Sequence, residues 1–184
     1  MSEPRTSAAA SGGGDQAGRP KPLNRGAAGY FVLVILQTVA LPVISGIIQL
    51  TSVGGDPILV FGTWWVFWGV GTRLLVAGIA QVSGKGPTAA ILGSSTPSVQ
   101  EQQLTRELGM ANLCMGFAGL LALIPGWALP AGIAGGLYLL IAGIMHVPKK
   151  SKNARETLAT WTDLIVGLAV VVLAITVLTG ALAG

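Results

Sequence analysis

The sequence predicts an all-α membrane protein, a bundle of five transmembrane helices, from three observations. Only 10% of its 184 residues are charged and 52% are hydrophobic, whereas a soluble domain carries about 25% charge. Five apolar stretches, at 29–49, 57–81, 107–126, 128–147 and 158–182, approach the roughly 20 residues that cross about 30 Å of hydrocarbon. Ten of the eleven Lys and Arg residues fall on one side when these stretches are threaded in alternation, Arg73 alone lying within a span.

Residues 1–28 (MSEPRTSAAASGGGDQAGRPKPLNRGAA) are rich in Gly, Ala, Ser and Pro without apolar periodicity. They cannot bury enough surface to fold and read as a flexible cytoplasmic tail ahead of a transmembrane bundle at 29–184. The first apolar run starts late and is span-length, unlike the short apolar core of a cleaved signal peptide, and so reads as a retained helix.

Arg5, Arg19, Lys21 and Arg25 precede the first span. Lys85 and Arg106 separate the second from the third, and Lys149, Lys150, Lys152 and Arg155 the fourth from the fifth. The connectors at 50–56 and 126–130 carry none. The positive-inside rule then gives a cytoplasmic N-terminus, five crossings and an external C-terminus. A pI near 9.6 follows from these juxtamembrane charges, which suit anionic lipid better than nucleic acid.

The third and fourth spans form a hairpin turned by IPGWALPAG, with Pro125, Gly126 and Pro130 as breakers and Trp127 at the outer interface. On the cytoplasmic side the 82–106 connector begins as a Gly/Ser/Pro loop. Ser98 and Glu101 then have the spacing of a capping box, so a helix starts there and enters the membrane through TRELGMANL. Arg106 and Glu107 are thus a charge pair at headgroup level.

In lipid, small and polar residues mark the faces that meet protein. Stepping 100° per residue places Arg73 within about 40° of Gly62, Val66, Gly69, Ala77 and Ala80, with Trp64 and Trp68 on the far, lipid side. Asp163 shares a face with Ala159, Gly167, Val170 and Ala174; His146 with Gly132, Gly135, Leu139 and Ala142; Asn112 with Thr105, Gly109 and Gly116. Arg73, Asn112 and Asp163 lie about 7 to 12 Å inside the cytoplasmic helix ends, with Gln37 similar. The expected candidate site is therefore a polar layer of Arg73, Asn112, Asp163, His146 and Gln37, with Arg73 and Asp163 as its natural pair because each is costly alone in hydrocarbon. Gly132 and Gly136 form a GxxxG pair that allows close approach of another helix, either one of the same chain or that of a second copy.

Three stretches carry a resemblance: PTAAILGSSTPSVQEQQLTRELGMANLCMGFAGLLAL, AGGLYLLIAGIMHV and NARETLATWTDLIVGLAVVVLAI. Over roughly residues 60–175 the chain resembles a family of small polytopic bacterial membrane proteins known by a domain of unknown function. In that family an acidic-Leu/Phe-Gly-x-Ala-Asn-Leu segment opens a helix, a later helix ends in Gly-x-x-His, and the last carries an Asp after an Asn-rich start. Glu107, Gly109, Ala111, Asn112, His146 and Asp163 occupy the matching positions. The resemblance implies a bacterial inner (cytoplasmic) membrane protein and supplies no activity.

No catalytic motif stands out. VSGKGPT lacks the earlier glycine and the Ser/Thr of a phosphate loop, and there is no HExxH, no Cys/His metal spacing and no serine elbow. The expectation is no cofactor, no metal and no catalytic residue. Cys114, the single cysteine, reads as a small buried hydrophobe. The leading functional reading is a non-catalytic accessory or assembly protein with a cytoplasm-facing polar layer. A small-solute transporter or channel is the alternative, and a quinone- or lipid-acting membrane enzyme the second alternative. The partners implied are the lipid bilayer and a second copy or a larger membrane complex, with no nucleic acid.

Overall fold

Lipid offers no water to the backbone, so each N–H and C=O must be satisfied within the chain, and this chain does so with helices. The computed structural model describes residues 25–84 and 98–183. The tail before residue 25 and the connector at 85–97, with Lys85, lie outside the described residues. Five long helices follow one another: α1 (25–52), α2 (57–82), α3 (Val99–Leu120), α4 (Ala128–His146) and α5 (Ala154–Ala183). There is no strand among the described residues. Two helices are interrupted by π-helical stretches, α1 at Leu36–Ala40 and α2 at Val66–Thr72.

Local chemistry sets the boundaries. Asp56 caps α2, its Oδ1 accepting from the backbone N–H groups of Ile58 (2.9 Å) and Leu59 (3.0 Å), and Pro57 follows at a position that needs no N–H. The turn before it uses Gly54 and Gly55 at φ +83 and +125, where a side chain would be strained. Ser98 and Glu101 form the capping box: Glu101 Oε2 accepts from the Ser98 N–H (2.6 Å) and Ser98 Oγ from the Glu101 N–H (3.2 Å).

Four helical stretches are long and apolar enough to cross a membrane: Ala28–Ser52, Pro57–Val82, Ala128–His146 and Ala154–Ala181. α3 is the exception because its opening turns, VQEQQLTRE, carry three charges and three glutamines. Packing accounts for that polarity. Gly109 meets Val82, the last residue of α2, so 99–108 overhang the end of α2 by about 15 Å.

α2 is the hub and touches all four other helices. Against α1, Phe61 lies on Gly46 and Gln37 bonds Thr72; against α3, Gly71 meets Gly119 and Gly78 meets Gly109. Against α5, Gly62 meets Leu173 and Gly69 meets Val166; against α4, Gly132 meets Val66. The first three pairings run antiparallel. One end of the bundle therefore collects the N-termini of α1, α3 and α5 and the C-termini of α2 and α4. Arg106, Lys149, Lys150, Lys152 and Arg155 all lie there, and we call it the basic end.

The core is mainly Val66, Val70, Leu74, Leu139, Val166, Val170 and Leu173, with Ala122 and Ala131 where helices crowd. Gly132 and Gly136 serve this core: a Cβ at Gly132 would meet Val66 at 2.9 Å, and one at Gly136 would meet Val170 at 2.6 Å. The GxxxG pair is thus consumed inside the bundle and is not a surface for a second copy.

Candidate functional site

Arg73 is the first residue beyond the π stretch of α2. Its Nη2 donates to Asp163 Oδ1 at 2.5 Å and to Thr162 Oγ1 at 2.9 Å, both on α5. The Arg73 and Asp163 side chains are 11% and 9% exposed, so little water remains to solvate either charge alone. Arg73 Nη1 is buried and has no hydrogen-bond partner among the described residues. The Thr162 hydroxyl donates to the Leu158 carbonyl (2.8 Å), which leaves its lone pairs for the guanidinium. Tyr30 of α1 and Tyr138 of α4 stand within electrostatic reach of both charges.

Gln37 joins from α1, its Nε2 donating to Thr72 Oγ1 at 3.1 Å, while that hydroxyl donates to the Trp68 carbonyl at 2.8 Å. Both Gln37 and Thr72 belong to π stretches, where the widened turn breaks the regular carbonyl ladder. One residue further along α1, Thr38 is wholly buried, its carbonyl accepting from Trp65 Nε1 (2.9 Å) and its hydroxyl unpartnered.

The other members of the expected layer stand apart from this pair. Asn112 of α3 donates through Nδ2 to Gln81 Oε1 of α2 at 2.8 Å. It sits one turn from Gly109, on the expected face but with a different partner. His146 at the end of α4 places Nδ1 3.4 Å from Glu156 Oε1. Glu156 also faces Lys149 Nζ at 2.8 Å. The single layer thus resolves into four groups: Arg73, Asp163 and Thr162 across α2 and α5; Gln37 with Thr72 across α1 and α2; Gln81 with Asn112 across α2 and α3; and His146, Lys149 and Glu156 across α4 and α5.

Three further expectations need correction. Trp64 and Trp68 do not face lipid freely: their indole N–H groups donate to Gln49 Oε1 (2.7 Å) and Ser45 Oγ (3.0 Å) on α1. Cys114 is exposed on the outer face of α3 and is not buried. Arg106 and Glu107 are both exposed and do not pair; Glu107 accepts instead from Gln103 Nε2 (3.0 Å), one turn back. Adjacent helical residues point about 100° apart, so neighbours in sequence cannot face each other.

Sequence reasoning misses Glu156 and Gln81. Glu156 follows a basic run, which suggests solvation, yet it is 1% exposed. A signal was present: Asn153 and Glu156 have the spacing of an N-cap with its N3 acid, and Asn153 Oδ1 accepts from the Glu156 N–H at 2.9 Å.

Chemically, the ion pair is a neutral, largely desolvated joint between the hub and α5. The Asp163 oxygen that meets Arg73 is already engaged. Among the described residues no three His, Cys, Asp or Glu side chains gather into a metal-binding group. On the side of the pair away from the basic end lie Val66, Val70, Val166 and Val170, each at most 1% exposed. No protein-family model, no curated protein and no solved structure matches the chain.

Proposed function

We propose that the chain is a non-catalytic accessory or assembly protein of a bacterial cytoplasmic membrane, related to the small polytopic family it resembles. Its polar groups open toward the basic, cytoplasmic end. α3 is read as a fifth crossing whose overhang lies in the aqueous phase, with the N-terminus inside and the C-terminus outside. The observation that carries this reading is the sequence of layers along the bundle. The Arg73–Asp163 pair lies near the basic end, and the tight Val66, Val70, Val166 and Val170 layer closes the bundle beyond it. A conduit would need this layer to open a water path past the pair, since an apolar constriction closes a pore by dewetting; a partner-binding or structural joint needs polar groups on one side only.

Transport is the second reading, favoured by the two π stretches that face each other beside the pair, since π turns recur at functional sites. An enzyme acting on a quinone or lipid has less behind it. The apolar groove of about 490 Å³ between α2 and α5, lined by Phe61, Gly62, Trp65, Leu168, Ala169 and Val172, offers little beyond the Trp65 indole N–H, which is already spent on the Thr38 carbonyl.

Native mass spectrometry of the detergent-extracted protein is the deciding measurement. A stoichiometric larger complex is the expected result. A lone chain, together with uptake of a solute into vesicles that Asp163→Asn abolishes, would replace the accessory reading with transport. For orientation, cysteines at Gly54 and Ser151 should label from outside and inside respectively, and a reporter after Gly184 should be external; the reverse pattern overturns the topology.

A further inference from the structure

Away from the Arg73–Asp163 pair, charge is most concentrated at the basic end of the α4–α5 hairpin. A carboxylate is rarely buried unless paired, and Glu156 is 1% exposed. Asn153 fixes its backbone at the first turn of α5. Lys149 Nζ donates to Oε2 at 3.0 Å and stands 2.8 Å from Oε1. His146 Nδ1 is 3.4 Å from the same Oε1, which is buried and accepts no well-formed hydrogen bond.

Among the described residues, Arg155 precedes Glu156 on α5 and Lys150 lies in the connector before it, with Arg155 also within electrostatic reach of Tyr30 of α1. On α5 itself Asp163 lies seven residues on, two turns along the same face, with Arg73 of α2 bonded to it. Tyr138 of α4 stands near that pair. Lys152 turns away, its Nζ donating to the Val147 carbonyl at 3.2 Å. His146 is one-third exposed and Lys149 about half, so water reaches both.

We propose that His146, Lys149 and Glu156 form a proton-sensitive clasp that holds α4 to α5 over the Arg73–Asp163 pair. The proposal rests on the reading of that pair as the site. Between Glu156 and Asp163 on α5 lies Thr160, 2% exposed, and α4 covers the neighbouring Leu164 with Gly143. Parting the ends of α4 and α5 would therefore wet the approach to Asp163. Lys149 holds Glu156 through its own contacts, independently of the imidazole. Imidazole is the side chain that ordinarily changes charge between pH 5 and 8. A neutral ring offers Oε1 a weak donor or a repelling lone pair; an imidazolium offers a certain donor and a positive charge. Acid therefore closes the clasp and alkali loosens it.

The test uses the full chain with Cys114→Ser and a thiol probe at Thr160→Cys, labelled by a membrane-impermeant maleimide. Rates are divided by those of Ser151→Cys, an exposed site, to cancel the titration of the thiol itself. The normalised rate should be roughly threefold or more lower at about pH 5.5 than at about pH 8. His146→Gln and Glu156→Gln should remove the difference, and Lys149→Gln should keep it. A pH-independent rate in the parent, or a difference that survives His146→Gln, overturns the proposal. Should Thr160→Cys misfold, the thermal aggregation midpoints of wild type and His146→Gln at the two pH values decide in its place: the gap between them must widen on acidification, and a constant gap overturns the clasp. If the clasp passes while Asp163→Asn leaves assembly untouched, the clasp stands and the reading of the pair as the site falls.

Discussion

α2 meets α3 on one face and α5 on another, and the two seams are built differently. Along α3 glycine faces glycine: a Cβ at Gly71 would come within 2.7 Å of the Gly119 carbonyl carbon, and one at Gly116 within 2.5 Å of the Leu75 nitrogen. Backbone touches backbone, and among the described residues the neutral Gln81–Asn112 pair links the two helices. Along α5 the glycines of α2 receive side chains, Leu173 at Gly62 and Val166 at Gly69, and the seam ends in the ion pair. The first seam depends on the absence of volume. The second depends on side chains that fill the glycine gaps and on a countercharge for the arginine it buries.

The contrast can be broken most severely at Gly116. Replacing it with Leu puts a side chain where only backbone fits, and neither helix can yield locally. A loss of about 4 kcal/mol or more is expected, read as collapse of the thermal aggregation midpoint in detergent. A near-normal midpoint would mean that the seam is not closed as described.

On the α5 seam the largest effect comes from leaving one charge alone. Arg73→Met or Asp163→Leu should each cost about 3 kcal/mol, while the double variant should return to within about 1 kcal/mol of wild type. Additive losses would show that the two side chains do not depend on each other. Trimming volume there is milder: Val166→Ala should cost about 2 kcal/mol, against the much larger penalty for adding volume on the α3 seam. Equal sensitivity of both seams to added and removed volume would erase the distinction. Smallest is the amide link, for which the paired change Gln81→Leu with Asn112→Leu should shift stability by about 1 kcal/mol or less. A larger shift would give the neutral link a weight that the geometry does not predict.

Much of this was legible because lipid makes patterns strict. Four of the five spans and the inward face of Asp163 follow from hydropathy and 100° steps, and the capping box at Ser98 from spacing alone. The partnerships were harder to read. A helical wheel gives Asn112 an inward face but does not say that this face meets Gln81, whereas opposite charge assigns Arg73 to Asp163. A regular wheel also assigns Trp64 and Trp68 to lipid, whereas the Val66–Thr72 stretch is π-helical, and an indole reaches sideways to a polar group on α1. Glu156 sits amid lysines, and linear charge patterning cannot distinguish a solvated carboxylate from one folded beneath its neighbours.

The facing π stretches bear on chain length. Each carries one residue more than a regular turn would over a similar climb, so the helix beyond it is advanced by about 100°. Leu36–Ala40 and Val66–Thr72 lie on adjacent helices and are joined by Gln37 and Thr72; elsewhere along the same contact, Gln49 meets Trp64 and Ser45 meets Trp68. Each surplus residue sets the phase of its helix on either side of the stretch, so all of these contacts depend on both surpluses together. Each of α1 and α2 therefore has to keep its own surplus residue. Removing one residue from either stretch turns half a helix toward the wrong neighbour, and on α2 it would also carry Gly62 away from Leu173 of α5, so a matching loss on α1 would not restore the contacts.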